Sequence, residues 1–545
     1  MNWIHPLAAE VHEPADVLGG KAHGLVVLQR LRLPVPPGFI ITTKACRAFL
    51  RDGRPPRDLA AELTAATAEL ERATHRNFGG APRPLVVSVR SGGAVSMPGM
   101  MSTVLNLGLT AEATVGLADE TGDVRFALDS RLKFLSSFAS EVAGVDRGSL
   151  EDIERGTSES NPGDAEALLT DGIRAVEALI RERTGEPVPE SAPRQLERAV
   201  EAVFSSWNTP RAKTYRDLHG VPGDLGTAVT VQTMVFGNRD ERSGTGVAFS
   251  RSPNTGESVP YGEVLFGSQG DEVVSGRSLT RPLTELADRE PTVWATLLDA
   301  LSRIEEHYRD ACYVEFTFEA GELWILQVRT GRLVGRAAVR VAVDLADDGV
   351  IGRREALLRV SPHHLSQVRT PRLEVADSGD VLTRGLGASP GVAIGAMATT
   401  ADTAARMASR GPVVLVRPET SPLDMHGLIA AAGVLTTRGG PTSHAAVVAR
   451  AMGKPAVVGA VDLTVDVAAG SVRAGRRTIH EGTLIAIDGT GGEVVVGAPR
   501  ITSTSADHHL GRLLRWADAV AGDSTGRSEE ARLTAAHRAL DSGSG

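Results

Sequence analysis

The sequence predicts a multidomain protein that combines α/β and α+β architecture. Its 545 residues exceed what one hydrophobic core normally holds, since about 100–200 residues per domain is usual. A strand pattern at 433–437 is followed, after a glycine turn, by a helical pattern at 445–452, as in α/β folds. The stretch 313–329 instead alternates apolar and polar residues, which is typical of antiparallel strands. We therefore expect several domains of mixed type.

Composition and charge argue against several classes of function. The formal net charge is −9, whereas a nucleic-acid-binding or anionic-membrane surface needs a basic excess. The chain has neither a secretory leader pattern nor a run of about 18 apolar residues, so we expect a cytoplasmic protein without membrane partners. Two cysteines, Cys46 and Cys312, are too few for a disulfide framework or a cysteine metal site.

One histidine lies where a strand passes into a helix. His444 follows the strand pattern at 433–437 and a glycine turn, and it precedes the helical pattern at 445–452, with Thr442 or Ser443 as the N-cap. In the first turn of a helix, the dipole favours a neutral imidazole and an attached phosphate. His444 is therefore a candidate nucleophile that becomes phosphorylated. The alternative is a histidine that only packs at the start of the helix.

Two basic residues lie beside glycine pairs near the N-terminus. Lys21 follows Gly19 and Gly20, which leave room for phosphate oxygens, although a solvated turn lysine has the same pattern. Arg90 ends a strand pattern and precedes a glycine-rich loop. A guanidinium at that position suits bidentate phosphate recognition.

The stretch 313–329 predicts a β-hairpin with one polar face. A three-residue connection at 320–322 would place Glu315 directly across from Gln327, with Tyr313 and Arg329 on the same face. A carboxylate and an amide oxygen in that arrangement can hold Mg²⁺, while Arg329 binds phosphate. The core-facing residues would then be Val314, Phe316, Phe318, Trp324, Leu326 and Val328.

Six segments form an ordered series along the chain: 35–39, 88–109, 204–212, 226–229, 234–238 and 243–249. They resemble the nucleotide-binding part of the pyruvate, phosphate dikinase family. The resemblance implies an ATP-grasp region over 1–335 that binds ATP and Mg²⁺, in which Glu315, Gln327 and Arg329 serve the metal and the triphosphate. Lys21 and Arg90 would bind ATP with them, and Glu263 would accept a hydrogen bond from the ribose or base, or else be a surface carboxylate. Periodicity predicts a helical insert at about 110–222.

Residues 385–500 resemble the swivelling phosphohistidine domain of the same family. By this resemblance His444 carries the phosphoryl group, Arg438 steadies it, and Thr442 matches the position that a regulatory kinase modifies in plant members. Residues 336–384 are expected to form a helical connector and hinge, and 501–545 a helix and polar tail. A hinge would allow His444 to move between the nucleotide site and the site of the phosphoryl acceptor.

Three positions depart from the family pattern. Tyr313 and Ser102 stand where the family usually has aspartates, and Pro441 stands where it has Met or Ile. Loss of either carboxylate would weaken metal handling or alter how the phosphates are cleaved.

The C-terminal segment is short for a further large domain. A TIM barrel needs on the order of 250 residues, and 501–545 is far shorter. We therefore expect no TIM barrel here, with the family's pyruvate and phosphoenolpyruvate (PEP) half supplied by a separate protein or replaced by another phosphoryl acceptor.

These observations lead to one predicted reaction and two alternatives. The chain would convert ATP and phosphate to AMP and pyrophosphate while His444 becomes phosphorylated, with His444, Arg90 and Arg329 as catalytic residues. One alternative is a phosphotransferase with a different small-molecule acceptor, such as an antibiotic kinase. The other is a non-catalytic nucleotide-binding regulatory protein.

Overall fold

The fold was analysed in a computed structural model of the chain. Within the described residues we find no helix with the length and hydrophobicity that crossing a membrane requires. The chain divides into two compact units, Met1–Arg239 with Trp324–Val328, and Asp240–Leu323 with Arg329–Gly545. The structure describes residues 2–95, 97, 101–158, 164–270, 280–331, 333, 335–366, 368, 371–374, 381–440, 443–503, 508–522 and 526–542.

The first unit combines an antiparallel sheet with many helices. Its strands are β1 (Ile4–Pro6), β2 (Gly38–Ile41), β3 (Asn77–Phe78), β4 (Pro84–Leu85), β5 (Val87–Gly92), β6 (Thr103–Leu107) and β7 (Ala228–Thr233). Its helices are α1 (Ala15–Leu18), α2 (Gly20–Arg30), α3 (Thr43–Asp52), α4 (Leu59–Thr74), α5 (Ala111–Thr121), α6 (Val124–Phe138), a π-helical turn (Ala139–Ala143), α7 (Arg147–Ser158), α8 (Ala165–Thr184), α9 (Ala192–Ser206) and α10 (Pro210–His219). The five main strands are ordered β1-β2-β7-β5-β6, and all neighbours are antiparallel.

One apolar cluster joins this sheet to the helices. Val89 and Val231 of the sheet pack with Phe134 and Phe204 of the helices, and each is at most 1% exposed. Burying such a side chain contributes about 1.5–3 kcal/mol. The helices between 111 and 219 agree with the helical pattern predicted for 110–222.

The second unit contains the remaining elements in chain order. Its strands are β8 (Gly244–Phe249), β9 (Tyr261–Phe266), β10 (Arg281–Pro282), β11 (Cys312–Glu319), β12 (Glu322–Thr330, partly in the first unit), β13 (Pro371–Glu374), β14 (Val381–Arg384), β15 (Leu386–Ser389), β16 (Val392–Ala398), β17 (Val413–Arg417), β18 (Gly433–Thr436), β19 (Ala456–Val458), β20 (Leu463–Asp466), β21 (Ser471–Ala474), β22 (Arg477–His480), β23 (Leu484–Asp488), β24 (Glu493–Val496) and β25 (Arg500–Ser503). Its helices are α11 (Glu285–Arg289), α12 (Pro291–Tyr308), α13 (Gly335–Asp347), α14 (Arg353–Arg359), α15 (Pro362–Ser366), α16 (Ala401–Ala408), a 3₁₀ turn (Pro422–Asp424), α17 (Met425–Ala430), α18 (His444–Ala451), α19 (His508–Ala521) and α20 (Glu529–Ser542).

A second sheet has the order β10-β9-β8-β11-β12. The hairpin between β11 and β12 is tighter than the sequence predicted. Its connection has two residues, Ala320 and Gly321, with φ angles of 51° and 82°, as in a type I′ turn. The predicted three-residue connection was wrong, and such a change of one residue exchanges the two faces of a strand.

Burial along β12 reflects this change. Leu323 and Ile325 are buried, whereas Trp324 and Leu326, predicted to face the core, are only half-buried. Val314, Phe316, Phe318 and Val328 are buried as predicted. With a two-residue connection, Gln327 is no longer expected directly opposite Glu315. The Gln327 side chain is buried, at 3% exposed.

Residues 381–496, here called the histidine module, form an eight-stranded mixed sheet. The strand order is β14-β24-β23-β16-β17-β18-β19-β15, and β16 to β19 run parallel. Helices α16 and α18 cover the sheet through a cluster that includes Ala404, Leu415 and Ala446. This is the βα arrangement predicted around His444.

The strands that enter and leave the histidine module pair with each other. Strand β13 is antiparallel to β25, from the pair Pro371 and Ser503 to the pair Glu374 and Arg500. The fully buried carboxylate of Asp488 anchors β13, because it accepts hydrogen bonds from Nε of Arg372 at 2.9 Å and from the backbone N–H of Leu373 at 3.0 Å.

The helices that precede the histidine module in the chain pack with the helices that follow it, in one apolar cluster. Leu345 of α13 and Leu357 of α14 pack with Leu513 of α19 and Leu533 of α20. The polar tail predicted after α19 was wrong in this respect, because α20 is a full helix that buries Leu533 and Leu540. The mixed α/β class is confirmed, whereas the predicted boundaries at 335, 384 and 500 and the ATP-grasp type stay predictions.

Candidate functional site

In the first unit, Lys21 lies against the end of β5. Gly19 has φ 78°, and a Cβ there would approach the carbonyl oxygen of Gly92 to 1.7 Å, so only glycine allows this contact. The N–H of Gly20 donates to the carbonyl of Gly93 at 3.0 Å. Lys21 is therefore held at the first turn of α2, beside the strand that carries Arg90.

Arg90 is oriented by a residue that the sequence analysis missed. Its guanidinium donates to the side-chain oxygen of Gln232, which is 1% exposed. The amide nitrogen of Gln232 in turn donates to the carbonyl of Pro36 at 3.0 Å. These two hydrogen bonds fix the orientation of the Arg90 guanidinium. In the sequence, only the polarity of Gln232 within an apolar strand pattern hinted at such a role.

In the second unit, Glu315 and Arg329 form a loose ion pair. Nη2 of Arg329 is 4.0 Å from Oε1 of Glu315. The hydroxyl of Tyr313 donates to the same carboxylate oxygen at 3.2 Å. Burial raises the pKa of Tyr313 well above its usual value, and the charge of Glu315 adds to this, so the phenol stays a donor at neutral pH.

Gln327 belongs to the first unit, and its amide nitrogen makes no hydrogen bond to any residue the structure describes. Its predicted role as a metal ligand stays a prediction. The described ranges contain no group of three or more His, Cys, Asp or Glu side chains suited to a metal ion. A cation held by Glu315 would thus take most of its ligands from water or a bound molecule.

Glu263 lies on the same row of the sheet as Glu315, two strands away. Both residues are paired with Val247, from opposite sides. The Glu263 side chain is 3% exposed and lies against the loop before His444, because a Cβ on Gly440 would be 1.8 Å from its Oε1. The structure thus places Glu263 beside the histidine module, and its role toward a ribose or base stays a prediction.

A buried arginine projects from the helix that begins at His444. Nη1 of Arg450 donates to the carbonyl of Ala388 at 2.6 Å. Burial lowers the pKa of Arg450 to about 10, while Tyr261, Glu263 and Tyr313 oppose that shift, so the guanidinium stays charged at neutral pH. The sequence offered one indication of this role, an arginine within the apolar helical pattern at 445–452, because arginine is rarely buried without partners.

His444 is the first residue of α18, with Ser443 as N-cap. Its Nδ1 is 3.1 Å from the hydroxyl of Thr420, a residue in the loop after β17 that is 5% exposed. This contact holds the imidazole at the positive end of the helix dipole. Nothing in the sequence around Thr420 indicates this role, because its partner lies 24 positions away.

Comparison with known proteins matches two parts of the chain to family models. Residues 51–293 match the AMP/ATP-binding domain of pyruvate phosphate dikinase, and residues 410–492 match the mobile domain of PEP-utilising enzymes. Two separate parts of the chain are therefore similar to domains of these two enzyme families. The second match contains both Thr420 and His444.

Individual members of the pyruvate, phosphate dikinase family align with nearly the whole chain. The enzyme of Rhizobium meliloti (strain 1021) is 42% identical in an alignment of 541 residues that covers 95% of this chain and 60% of that protein. Pyruvate, phosphate dikinase 2 of Zea mays is 42% identical in an alignment of 514 residues that covers 93% of this chain and 58% of that protein. Pyruvate, phosphate dikinase of Clostridium symbiosum is 40% identical in an alignment of 531 residues that covers 95% of this chain and 60% of that protein. The chain thus spans about three fifths of the length of these relatives.

Four further residues are singled out by the resemblance to the dikinase family. Thr442 and Pro441 lie outside the described residues. The Arg438 side chain is exposed, and its backbone N–H donates to the carbonyl of Pro418 at 2.9 Å. Ser102 is buried in the first unit, where its N–H donates to the hydroxyl of Ser206 at 3.4 Å. The phosphate-binding roles of Lys21, Arg90 and Arg329 stay predictions.

Proposed function

We propose that this chain is a dikinase-type phosphotransferase that uses ATP and phosphate to phosphorylate His444. The observation that carries the proposal is the imidazole of His444 at the first turn of α18, oriented through Nδ1 by Thr420, in a module that matches the mobile domain of PEP-utilising enzymes. The match of residues 51–293 to an AMP/ATP-binding domain supports ATP as the phosphoryl donor.

The hydrogen bond at Nδ1 defines how the imidazole would react. If Nδ1–H donates to the Thr420 hydroxyl, Nε2 carries the lone pair and is the nucleophile. Nε2 attacks the β-phosphorus of ATP, the bond to the α-phosphate oxygen breaks, and AMP leaves. Inorganic phosphate then takes the terminal phosphoryl group as pyrophosphate, which leaves phosphohistidine.

Charged and polar groups on the chain suit the stabilisation of phosphate oxygens. We assign Lys21, Arg90 and Arg329 to phosphate binding, since such catalysis is mostly alignment and charge neutralisation. The buried hydroxyl of Ser443, next to His444, makes no hydrogen bond to any described residue and suits an attached phosphoryl group.

A divalent cation fits this chemistry at Glu315. The carboxylate is partly exposed and is oriented by Tyr313, and Mg²⁺ commonly uses one or two protein carboxylates together with substrate phosphates. Glu315 would hold Mg²⁺, which neutralises phosphate charge when bound, while Gln327 as a metal ligand stays a separate prediction that the observed hairpin turn does not support. The protein groups then align the triphosphate.

Isotope placement tests the proposal. After incubation with ATP labelled on the β-phosphate, the protein should carry label that survives addition of phosphate, whereas label on the γ-phosphate should be lost as pyrophosphate. His444→Ala should abolish labelling, and the matched control His480→Ala, at an exposed histidine of the same module, should not. Persistent labelling of His444→Ala would sink the assignment.

The final phosphoryl acceptor is a separate question. Pyruvate as acceptor follows from the names of the relatives, and a separate PEP and pyruvate-binding protein stays a prediction because the alignments cover 60% of the Rhizobium protein and do not speak to the rest of it. Label transfer from the phosphorylated chain to pyruvate distinguishes this acceptor from another small molecule.

One observation favours a non-catalytic alternative. Tyr313 occupies a position where an acidic residue was expected, and its phenol makes a hydrogen bond to the one carboxylate assigned to the metal. A regulatory protein would bind ATP yet show neither histidine labelling nor exchange between ATP and AMP.

A further inference from the structure

The helical part of the first unit contains a cavity of about 500 Å³, whose lining includes none of the residues assigned to ATP or to phosphoryl transfer. Helix α6 lines it with Arg131, Phe134 and Leu135, which are three and four positions apart and therefore share one face of the helix. Helix α8 lines it with Glu177 and Arg181, which are also four positions apart. A cavity of this size is within the usual range for small-molecule sites.

The connection between α8 and α9 forms one wall of the cavity. Pro187, Val188, Pro189 and Glu190 all line it. Because the proline ring fixes φ, two prolines in four residues restrict the conformations of this wall. Gln195 of α9, which is 2% exposed, also lines the cavity, and its amide nitrogen donates to the carbonyl of Pro189 at 2.8 Å. The wall is thus attached to α9.

Two polar groups of the lining residues lack hydrogen-bond partners within the described part of the chain. Nη2 of Arg131 donates to Oε1 of Glu177 at 3.0 Å, but Nε of the same guanidinium is buried and makes no hydrogen bond there. Oε1 of Gln195 is likewise buried without a described partner. Buried polar groups are nearly always hydrogen-bonded in native proteins, so this donor and this acceptor call for partners that a molecule in the cavity can supply.

The charged residues that line the cavity are of both signs. Arg131 and Arg181 are cationic, whereas Glu112, Glu177 and Glu190 are anionic. A simple anion would face three carboxylates, and a simple cation would face two guanidinium groups. A zwitterion can instead place its negative group near the arginines and its positive group near the glutamates.

We propose that this cavity binds a free amino acid with an apolar side chain. The carboxylate contacts the guanidinium groups of Arg131 and Arg181, and the ammonium group donates to Oε1 of Gln195. The apolar side chain packs against Phe134 and Val188, which line the same cavity. The inference goes beyond the proposed function and does not depend on it, because it assigns a second ligand to residues that phosphoryl transfer does not use.

Calorimetry on the full chain with L-leucine and L-phenylalanine tests the proposal. At least one of them should bind once per chain with a Kd of about 1 mM or tighter, as suits so small a ligand. 3-Phenylpropionate lacks the ammonium group and phenethylamine lacks the carboxylate. Each should bind at least about tenfold more weakly than the amino acid, because each leaves polar groups of the cavity without partners. Absence of binding by both amino acids, or equal binding of either analogue, overturns the proposal.

Two substitutions test whether binding occurs in this cavity. Arg181→Gln removes an exposed guanidinium and Gln195→Leu removes the amide acceptor, and each should weaken amino-acid binding by about five- to tenfold. Arg174→Gln, at an exposed position of α8 outside the lining, is the matched control and should bind as the wild type does.

Circular dichroism shows whether Gln195→Leu is folded. If it is not, Arg131→Lys replaces it with the same expectation, since lysine keeps the charge but lacks the planar guanidinium. Wild-type affinity in the cavity variants, or an equal loss in Arg174→Gln, would overturn the assignment of the site.

Discussion

The hydroxyl oxygen of Thr420 lies 3.1 Å from Nδ1 of His444, although the two residues are 24 positions apart in the chain. The loop after β17 and the first turn of α18 are brought together because β17 and β18 are parallel neighbours, whose carboxyl ends meet at one edge of the sheet. The orientation of the imidazole is therefore a property of the sheet and not of the helix alone.

Replacement of Thr420 by valine is expected to slow phosphorylation of His444 about tenfold. The change keeps the shape of the side chain but removes the partner of Nδ1, and one such hydrogen bond is worth about 0.5–1.5 kcal/mol. The single-turnover labelling rate with ATP measures the effect. Thr464→Val, at an exposed position of the same module, should label at the wild-type rate. Equal rates for both variants would contradict the role of Thr420.

Replacement of Gly440 by alanine is expected to disturb the contact with Glu263. The new Cβ would overlap the carboxylate, at 1.8 Å from Oε1, so the loop before His444 or the Glu263 side chain must move. We expect slower histidine labelling by roughly tenfold or more, as for a misplacement of about 1 Å. Gly223→Ala is the control, since a Cβ there meets nothing within 4 Å. Normal labelling by Gly440→Ala would refute the contact.

Replacement of Asp488 by asparagine is expected to destabilise the histidine module. One oxygen of this fully buried carboxylate accepts from Arg372 and Leu373, and the other accepts from the N–H groups of Thr490 and Gly491 at 2.9 and 3.0 Å. An amide nitrogen cannot accept, so the free energy of unfolding should fall by about 2–4 kcal/mol.

Urea unfolding measures that loss, and limited trypsin digestion reports whether cleavage at Arg372 becomes faster. The exposed Asp171→Asn serves as the matched control, with an expected change below about 0.5 kcal/mol. A stable Asp488→Asn protein with unchanged digestion would show that the carboxylate does not anchor β13.

Stability should decrease above pH 9 because of two buried thiols. Burial raises the pKa of Cys46 to about 11 and that of Cys312 to about 12, from an ordinary value of 9.0. A pKa that is higher in the folded state means that the stabilisation is complete below pH 9 and is lost as pH rises toward 11, since the unfolded thiols ionise first.

Between pH 9 and 10 the free energy of unfolding should fall by about 2 kcal/mol more in the wild type than in Cys46→Ala/Cys312→Ala. Urea titrations at both pH values measure the difference. Parallel behaviour of the two proteins would mean that the thiols ionise as easily in the folded state as in the unfolded state.

Local patterns predicted the elements around His444 because strand and helix periodicities, a glycine turn and an N-cap are all local signals. The hairpin at β11 and β12 failed because its register depends on the turn. Ala320 adopts φ 51°, which is uncommon for alanine and which periodicity does not reveal. Helix α20 was missed because its ends are rich in serine and glycine, and only its packing on α19 identifies it as structured.

The candidate site was predicted residue by residue, but its contacts were not. Thr420, Gln232 and Arg450 gain their importance from partners distant in sequence, and no spacing rule connects Arg450 with Tyr261. Glu263 shows the same limit, because only the register of β8 with β9 and the loop at Gly440 bring its carboxylate toward the histidine module.

The pairing of Glu374 with Arg500 has a consequence for how such a protein arises. These two residues face each other at the end of a strand pair, and a two-residue Asn-Gly turn could join them directly. The 125 or so residues between them are thus a cassette inserted at the tip of a hairpin, where a long insertion adds little closure entropy. A module inserted in this way can be exchanged between scaffolds without redesign of the helices that precede and follow it in the chain.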